Sequence, residues 1–207
     1  MTRTYDNTGR EASARETRRR ILAAAYDLLT HRSFDSFSIQ ALAEHAGVSP
    51  QTIYNSIGGK STVLKACYDV TLAGDDEPVP MRERPAFLAL FEASDAAAFL
   101  KAYAHWCRVV SERVGPIVGA LIAAGEERGI ADFFKTIEKE RRLGTAGAIT
   151  ALQQTHGLPE GVPLERAVDM AWTLNAPEIW DRLVRRCGWT GEDYERWIEQ
   201  QLCASLT

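Results

Sequence analysis

The sequence predicts an all-α protein of about nine to ten helices. Glycine and proline separate apolar stretches along the whole chain, and no internal repeat or low-complexity tract interrupts them. With 207 residues, 45% hydrophobic and 25% charged, the chain has an ordinary globular composition and is long enough to bury a core. Apolar residues recur at the spacing of an amphipathic helix, for example at Ile21, Leu22, Ala25, Leu28 and Leu29.

The first predicted helix begins at a capping-box pattern. Ser13 can accept a hydrogen bond from the backbone N–H of Glu16, and the Glu16 carboxylate can reach back to the Ser13 N–H. The apolar repeat that follows predicts a helix that ends near His31. Residues 1–12 are polar, and we expect them to form a flexible tail.

The next two helices are predicted on either side of one tight corner. Ser38 is the predicted N-cap of the first, and Gly47 suits the left-handed residue that ends many helices. Ser49 caps a short second helix that has Pro50 at its first position, where proline is favoured. Two glycines then break the chain, and residues 60–72 are predicted to form a support helix.

A connector and a second helical domain make up the rest of the chain. Residues 71–95 contain three prolines and an acidic run, so we expect no more than one or two helical turns there. We therefore expect a helix-turn-helix domain over residues 13–72 and a helical domain over residues 73–207. Long helices are predicted over residues 95–113, 116–126, 129–155, 163–175, 177–187 and 191–205.

The charge is distributed unevenly along the chain. The net charge is −4, yet residues 1–65 hold nine Lys or Arg against six Asp or Glu, whereas residues 66–207 hold fifteen against twenty-two. A basic segment on an acidic body is typical of a small nucleic-acid-binding head, although a merely uneven surface would give the same balance.

Hydropathy indicates where the protein resides. No apolar run approaches the roughly 18 residues that a membrane span requires. The polar N-terminus does not resemble a secretory signal. We therefore expect a cytoplasmic protein with no membrane partner.

The four cysteines and four histidines form no metal-ligand pattern. Cys67, Cys107, Cys187 and Cys203 lie far apart, which is typical of small buried side chains in a reducing compartment. His105 and Cys107 are neighbours, but two residues apart on a helix they point to different faces. We predict no metal and no cofactor.

The stretch GGKST at residues 58–62 resembles the end of a phosphate-binding nucleotide loop. That loop requires G-x-x-x-x-G-K-[ST], because its first glycine lets the backbone direct N–H groups at the phosphates. The first glycine would stand where Tyr54 is found, and no apolar strand precedes the stretch. The sequence also contains no catalytic triad pattern, paired-carboxylate spacing or cofactor fingerprint, so we predict that the protein is not an enzyme.

The two helices around Gly47 match a helix-turn-helix, in which the second helix enters the major groove of DNA. The side chains that point away from its apolar face are short and polar, and Thr52 also offers a methyl group to thymine. Lys60 begins the support helix, where its charge can contact a phosphate. A glycine-centred corner also occurs in proteins that never bind DNA, so this pattern leaves both possibilities open.

The segment FSIQALAEHAGVSPQTIYNSIGGKSTVL resembles the DNA-binding segment of the tetracycline-repressor (TetR) family of bacterial regulators. RETRRRILAAAYDLL, just before it, resembles the first helix of that family. Residues 164–202 resemble the C-terminal part of one branch of the family. The residues that match the family pattern are Ala46, Gly47, Val48, Ser49, Thr52, Ile53, Tyr54 and Lys60.

This resemblance implies a DNA-binding regulator. We expect a repressor that binds double-stranded DNA at a palindromic operator and leaves it when a small ligand binds. The resemblance implies that Tyr54 and Lys60 bind phosphates and that Gln51, Thr52 and Asn55 face the groove. The candidate DNA-binding residues are Thr17, Ser38, Ser49, Gln51, Thr52, Tyr54, Asn55 and Lys60.

Three positions depart from the family pattern. Ser56 and Ile57 stand where the family usually has a His-Phe pair, and Ser61 stands where an acidic residue usually follows the lysine. The arginines at positions 18–20 could supply phosphate contacts in place of the missing histidine. The departures leave one alternative function open, a helical ligand-binding or interaction protein with impaired DNA binding.

The resemblance also implies a C-terminal body that binds a ligand, here an unknown small apolar or aromatic effector. An aromatic stripe at helical spacing is typical of plain core as well as of a pocket, so both interpretations stay open. The candidate ligand-binding residues are Tyr103, His105, Trp106, Val110, Phe133, Phe134, Ile137, Trp172 and Asn175.

We expect a homodimer, because a head with one short reading helix makes few base contacts and two-fold pairing on a palindrome doubles them. By resemblance, the interface lies on the helices predicted at residues 163–175 and 191–205. Their apolar faces could equally be internal core. The candidate interface residues are Leu164, Val168, Trp197, Ile198 and Leu202.

Overall fold

Helices make up most of the described chain. The computed structural model describes residues 7–32, 34–125 and 128–207. Within these residues no strand is found, and the predicted all-α fold is confirmed. Their α-helices are α1 (Asn7–His31), α2 (Ile39–Ala46), α3 (Pro50–Ser56), α4 (Lys60–Ala73), α5 (Pro85–Leu88), α6 (Ala96–Ala124), α7 (Arg128–Thr155), α8 (Leu164–Leu174), α9 (Pro177–Trp180) and α10 (Gly191–Leu206).

The chain divides into two compact units. One, here called the head unit, takes the chain up to Asp76 together with Pro116–Phe133. The other, here called the body unit, takes Glu77–Gly115 together with Phe134–Thr207. The division within α6 falls between Gly115 and Pro116, so α6 and α7 each contribute residues to both units.

In the head unit, α1 packs against α2, α3 and α4. Because apolar residues recur along one face of α1, Ile21, Ala25 and Leu29 are fully buried. Each fully buried leucine or isoleucine contributes about 1.5–3 kcal/mol to folding, so this face anchors the three shorter helices. Those helices contribute the buried residues Leu42, Ala43, Ala46, Ile53, Val63, Leu64, Cys67 and Tyr68.

The first helix is longer than the sequence predicted. It is already helical at Asn7, so Ser13 lies inside the helix and the capping box predicted there is wrong. Residues 9–16 include Arg10, Glu11 and two alanines, which are good helix formers, so the helix can begin before Ser13. Residues 7–12, expected in a flexible tail, are helical, and residues 1–6 lie outside the described residues.

The corner between α2 and α3 has the predicted caps. The Ser38 hydroxyl accepts a hydrogen bond from the Ala41 N–H at 3.1 Å, and the Ser49 hydroxyl accepts one from the Thr52 N–H at 3.1 Å. Gly47 ends α2 in the left-handed conformation, with φ 61° and ψ 42°, which other residues adopt at a cost. These local interactions fix the direction in which α3 leaves the corner.

The predicted break at Pro116 is wrong. α6 runs without interruption from Ala96 to Ala124 and contains Pro116 in its interior. A proline removes one backbone hydrogen bond and strains the preceding turn, but burial of the flanking Val114, Ile117 and Val118 favours the continuous helix. The one or two turns expected in the 71–95 connector are present as α5 and the 3₁₀ turn Ala89–Glu92, and a further 3₁₀ turn, Met81–Glu83, was not predicted.

The core of the body unit draws on α6, α7, α8 and α10. The Trp180 and Tyr194 rings meet edge to face, with centroids 4.8 Å apart and planes at 85°. After α9 the chain widens into a π-helical turn, Asp181–Arg186, where the sequence predicted an α-helix to residue 187. The buried core residues include Phe99, Leu100, Ala104, Cys107, Ile149, Leu152, Ala167, Val168, Ala171, Ile198 and Leu202.

Candidate DNA-binding surface

The outer face of α3 is polar and exposed. Its single buried residue is Ile53, which is 0% exposed and holds the helix on the head core. Gln51 and Asn55 are exposed on the other side, and Tyr54 has 53% of its surface accessible. The predicted groove-facing residues are thus brought together on one short helix, free of the core.

Two side-chain hydrogen bonds order this face. Gln51 Nε2 donates to Asn55 Oδ1 at 2.8 Å, across one helical turn. The Ser49 and Thr52 hydroxyl oxygens lie 2.8 Å apart, while Ser49 also caps the helix. Four of the predicted DNA-binding residues therefore contact one another in pairs.

Lys60 begins α4 and lies over an aromatic ring. Its Nζ is 4.3 Å from the centroid of Phe34 and 5.9 Å from that of Phe37. Such a cation–π contact holds an ammonium group in place while leaving its outer N–H groups able to donate. Phe34 was not among the residues singled out from the sequence, since its relation to Lys60 depends on folding across 26 residues.

The turn before Lys60 explains the GGKST stretch. Gly58 has φ +130°, a conformation that strains any other residue, and a Cβ at this position would also lie 3.1 Å from the Thr62 side chain. Ile57 is half-buried at the end of α3, and its N–H bonds to the Ile53 carbonyl. The glycines thus form a tight turn from α3 into α4.

Two arginines of α1, Arg18 and Arg19, bind carboxylates. Arg18 binds Asp76 through two nitrogens, at 2.8 and 3.2 Å, and Arg19 binds Glu16 at 2.6 Å. Arg20 is exposed, and Thr17 is half-buried on the same helix. Within this cluster, Arg18 and Arg19 already have anionic partners, so they are weak candidates to replace the family's histidine on a phosphate.

In the body unit, Tyr103 and Asn175 meet in a buried polar cluster. Asn175 Nδ2 donates to the Tyr103 hydroxyl at 2.8 Å and to the Thr145 hydroxyl at 3.1 Å, and the Tyr103 hydroxyl donates to Thr145 at 3.3 Å. Burial raises the pKa of Tyr103 well above its ordinary value, so the hydroxyl stays protonated. Thr145 completes the cluster and was missed in the sequence, where a lone threonine on a long helix carries no signal.

Arg141 extends the cluster towards Trp172. It donates to the Asn175 side-chain oxygen and, at 2.5 Å, to the Trp172 carbonyl. Its guanidinium carbon lies 4.9 Å from the Trp172 ring centroid, and Glu138 accepts from it at 2.8 Å. Arg141 and Glu138 were also missed, because charged residues on a polar helix face usually remain in solvent.

His105 does not join this cluster. Its side chain is 55% exposed and lies 3.1 Å from Glu195, which also accepts from Arg108 at 2.5 Å. His105 follows Tyr103 by two residues on α6 and therefore faces another direction. Its prediction as an interior anchor for a ligand needs correction, since it belongs to a surface ion cluster.

The remaining candidate ligand residues are dispersed. Phe133 belongs to the head unit, where its ring meets Tyr68 edge to face with centroids 5.4 Å apart. Trp106 packs at the margin of the body core, 6.3 Å from Phe87. Ile137 is buried, whereas Val110 and Phe134 are half-buried.

Three of the candidate interface residues lie inside the body core. Val168, Ile198 and Leu202 are buried to 6% exposure or less within a single chain, so they present no surface to a partner. Their apolar periodicity reflects the packing of α8 against α10 within the chain, and their assignment to a dimer interface needs correction. Leu164 and Trp197 are half-buried at the edge of the same core.

The cysteines differ in their surroundings. Burial raises the pKa of Cys67 and of Cys107 to about 12, so both thiols stay protonated and unreactive. Cys187 is exposed and Cys203 is half-buried, contrary to the expectation that all four are buried. Among the described residues, no group of three or more His, Cys, Asp or Glu side chains could hold a metal ion.

No helix in the described ranges is long and apolar enough to cross a membrane.

Sequence comparison identifies relatives of this chain. The profile described as bacterial regulatory proteins, tetR family, matches residues 21–67. The chain is 30% identical over 158 residues to an uncharacterized HTH-type transcriptional regulator, YdeS, from Bacillus subtilis (strain 168). That match covers 75% of this chain and 74% of the relative.

Solved structures share the fold. A TetR-family transcriptional regulator from Syntrophomonas wolfei str. Goettingen superposes with a TM-score of 0.69 at 16% identity, over 92% of this chain and 94% of that one. The fatty acid degradation regulator FadR from Bacillus halodurans superposes with a TM-score of 0.66 at 14% identity, over 89% and 93% of the two chains. At such low identity the likeness concerns the fold alone.

Proposed function

The chain belongs to the TetR family of bacterial DNA-binding transcription regulators, and from that premise we propose that it is a repressor released from its operator by a small ligand. Members of the family regulate transcription and are not enzymes. In this proposal a homodimer binds a palindromic operator in the cytoplasm. Residues 13–72 bind the DNA, and residues 73–207 bind the ligand and dimerise.

The observation that carries the DNA-binding role is the polar outer face of α3, opposite the buried Ile53. Amide and hydroxyl side chains on such a face can donate to and accept from base edges in the major groove. We assign base contacts to Gln51, Thr52 and Asn55 on this ground. We assign phosphate contacts, which position the head without reading sequence, to Thr17, Ser38, Ser49, Tyr54 and Lys60.

The ligand site is proposed within the body unit, near the Tyr103 and Asn175 cluster. Ligand pockets combine an apolar lining with a few buried polar groups, and this cluster lies beside apolar and aromatic side chains. A small apolar or aromatic effector fits that chemistry. The proposed ligand residues that belong to the body unit are Tyr103, Trp106, Val110, Phe134, Ile137, Trp172 and Asn175.

A mobility-shift experiment with the DNA that flanks the gene of this protein tests the DNA-binding role. We expect the wild type to retard one fragment, and Lys60→Ala to weaken binding to every fragment and to reduce the salt dependence by about one phosphate contact. A reporter gene placed behind the retarded fragment should be expressed less when the protein is present. Failure of the wild type to retard any fragment would favour the alternative of a helical ligand-binding protein without DNA binding.

Release by a ligand is tested on the same complex. A panel of small apolar and aromatic molecules is added, and we expect at least one to dissociate the protein from DNA. Trp106→Ala should change the response to that molecule while ligand-free DNA affinity stays nearly intact, whereas Trp189→Ala, another half-buried tryptophan of the body unit, should respond like the wild type. If Trp106→Ala unfolds the protein, Trp106 is core; if no molecule releases the DNA, the ligand switch is wrong.

A further inference from the structure

Two exposed amide side chains on α3 are bonded to each other rather than left to water. Gln51 Nε2 donates to Asn55 Oδ1 at 2.8 Å, and both side chains are exposed on the outer face of the helix. A hydrogen bond between exposed groups adds little stability, because each group would otherwise bond to water. Its consequence is positional, since it brings the two amides together as one unit in the DNA-free chain.

This hydrogen bond determines which donors and acceptors each amide still has available for DNA. A primary amide has two N–H donors and one carbonyl acceptor. Gln51 keeps its carbonyl and one N–H, while Asn55 keeps both N–H groups beyond the bond it accepts. Exchanging oxygen and nitrogen in both amides would reverse the bond and move the unbonded carbonyl to Asn55, so in either orientation one amide presents an unbonded carbonyl beside an N–H donor.

Adenine is the base whose edge matches this set. In the major groove adenine presents the N7 acceptor beside the N6 amino donor, whereas guanine presents two acceptors, N7 and O6. An amide that presents its carbonyl beside one N–H satisfies both N6 and N7 of adenine, whereas on guanine its carbonyl would lie against O6, which is repulsive. The side chains that most often read guanine are Arg and Lys, and α3, with the sequence PQTIYNS, contains neither.

We propose that Gln51 and Asn55 act as one reader that recognises a single adenine in each operator half-site. One amide N–H donates to adenine N7, and the adenine N6 amino group donates to the free amide carbonyl. The inference rests on the proposed operator binding and goes beyond it, because two residues on successive turns would otherwise be expected to read two different base pairs.

The experiment selects operator sequences from a pool of duplexes with a randomised centre, using the immobilised full-length protein. The wild type is compared with Gln51→Ala, Asn55→Ala and the double variant, and with Gln153→Ala as a matched control on an exposed glutamine of α7. The affinities of all five proteins are then measured by fluorescence anisotropy on the selected duplex. Two further duplexes carry a G·C pair, or 7-deazaadenine paired with thymine, at the selected adenine.

We expect the wild type and Gln153→Ala to select adenine at one position of each half-site. Replacement by G·C should weaken their binding by about 5- to 140-fold. 7-Deazaadenine, which keeps its base pairing but lacks the N7 acceptor, should also weaken their binding. Each single variant should lose the preference at that same position, and the double variant should lose no more than either single variant.

Three results would overturn the proposal. The two single variants could lose preference at different positions, the double variant could lose the product of the two single losses, or guanine could be selected where the amides act. If the wild type selects no sequence at all, operator binding itself fails, and this outcome is distinct from selection of an operator that the amides read separately.

Discussion

Among single residues, Lys60 has the most informative surroundings. A lysine side chain in solvent loses much rotamer freedom when it binds a phosphate. Here the Phe34 ring, 4.3 Å from the Lys60 ammonium, holds the charge at the start of α4 before DNA arrives. Phe34 is itself buried beside Phe37, with ring centroids 6.1 Å apart, so the ring has little freedom to move away. We infer that Phe34 is a positioning residue for the proposed phosphate contact of Lys60.

A double-mutant cycle tests this inference. Phe34→Leu keeps an apolar side chain but removes the aromatic ring. It should weaken DNA binding by about two- to fivefold, because an exposed cation–π contact contributes about that much to affinity. In a Lys60→Ala background the same change should have no further effect on affinity, which is measured by anisotropy at several salt concentrations. Circular dichroism controls for folding. An equal loss from Phe34→Leu in both backgrounds would show that Phe34 acts only through the fold of the head.

Two buried tyrosines provide a second residue-level prediction. The Tyr103 hydroxyl bonds to Asn175 and Thr145, whereas the Tyr194 hydroxyl lies near Ser111 but makes no hydrogen bond of good geometry to any described residue. Tyr103→Phe should therefore lower the free energy of unfolding by about 1–2 kcal/mol, because Asn175 loses a buried partner. Tyr194→Phe should change it by less than about 0.5 kcal/mol, because no such bond is lost. Urea denaturation measures both, and equal losses would contradict the assigned hydrogen bonds.

Among the elements, α6 depends on close packing at one glycine. Glycine in a helix interior normally destabilises it by about 0.5–1 kcal/mol relative to alanine. At Gly115, however, a Cβ would lie 2.7 Å from Trp180 Nε1 and 3.2 Å from its Cδ1. The Trp180 ring is buried against Tyr194 and cannot move aside freely. The absence of a side chain at Gly115 therefore allows α6 to pack against Trp180 of α9.

Matched glycine substitutions separate these two effects. Gly115→Ala should lower the free energy of unfolding by roughly 1–3 kcal/mol, because the added methyl group overpacks the site. Gly144→Ala on α7, where nothing lies within 4 Å of the new Cβ, should raise it by roughly 0.5–1 kcal/mol through helix propensity alone. Both are measured by urea denaturation. Stabilisation by Gly115→Ala would show that Trp180 moves aside at little cost.

The elements also show what the sequence could predict. The corner between α2 and α3 was predicted in detail, because Ser38, Gly47 and Ser49 act on backbone groups within three or four residues of themselves. The supposed break at Pro116 was wrong, because the burial that keeps α6 continuous comes from distant parts of the chain. Arg141 was missed for the same reason, because its partner Asn175 lies 34 residues away along the chain. Local signals were therefore reliable at the corner between α2 and α3 and insufficient where packing between distant residues decides the structure.

For the whole molecule, the proposed dimer on a palindromic operator requires a surface that joins the two subunits. The apolar faces of α8 and α10 pack together inside one chain, so a dimer that uses these helices must form through their outer faces. Those faces are mainly polar, with Glu165, Arg166, Gln200 and Gln201 exposed, and Ala204 is a small exposed residue among them. Leu164 and Trp197, half-buried at the core edge, are the candidate apolar contacts that remain.

Two substitutions on α10 decide whether its outer face joins the subunits. Leu202 is 1% exposed, so Leu202→Glu places a charge in the core and should unfold the body unit rather than give folded monomers. Ala204→Glu changes an exposed position two residues later and should leave the helical circular dichroism spectrum intact.

If the outer face is the interface, sedimentation velocity should show wild-type dimers and Ala204→Glu monomers. Affinity for a full palindrome should then fall towards that for one half-site, because the two heads bind independently. A dimeric Ala204→Glu protein with wild-type operator affinity would place the interface away from this face of α10.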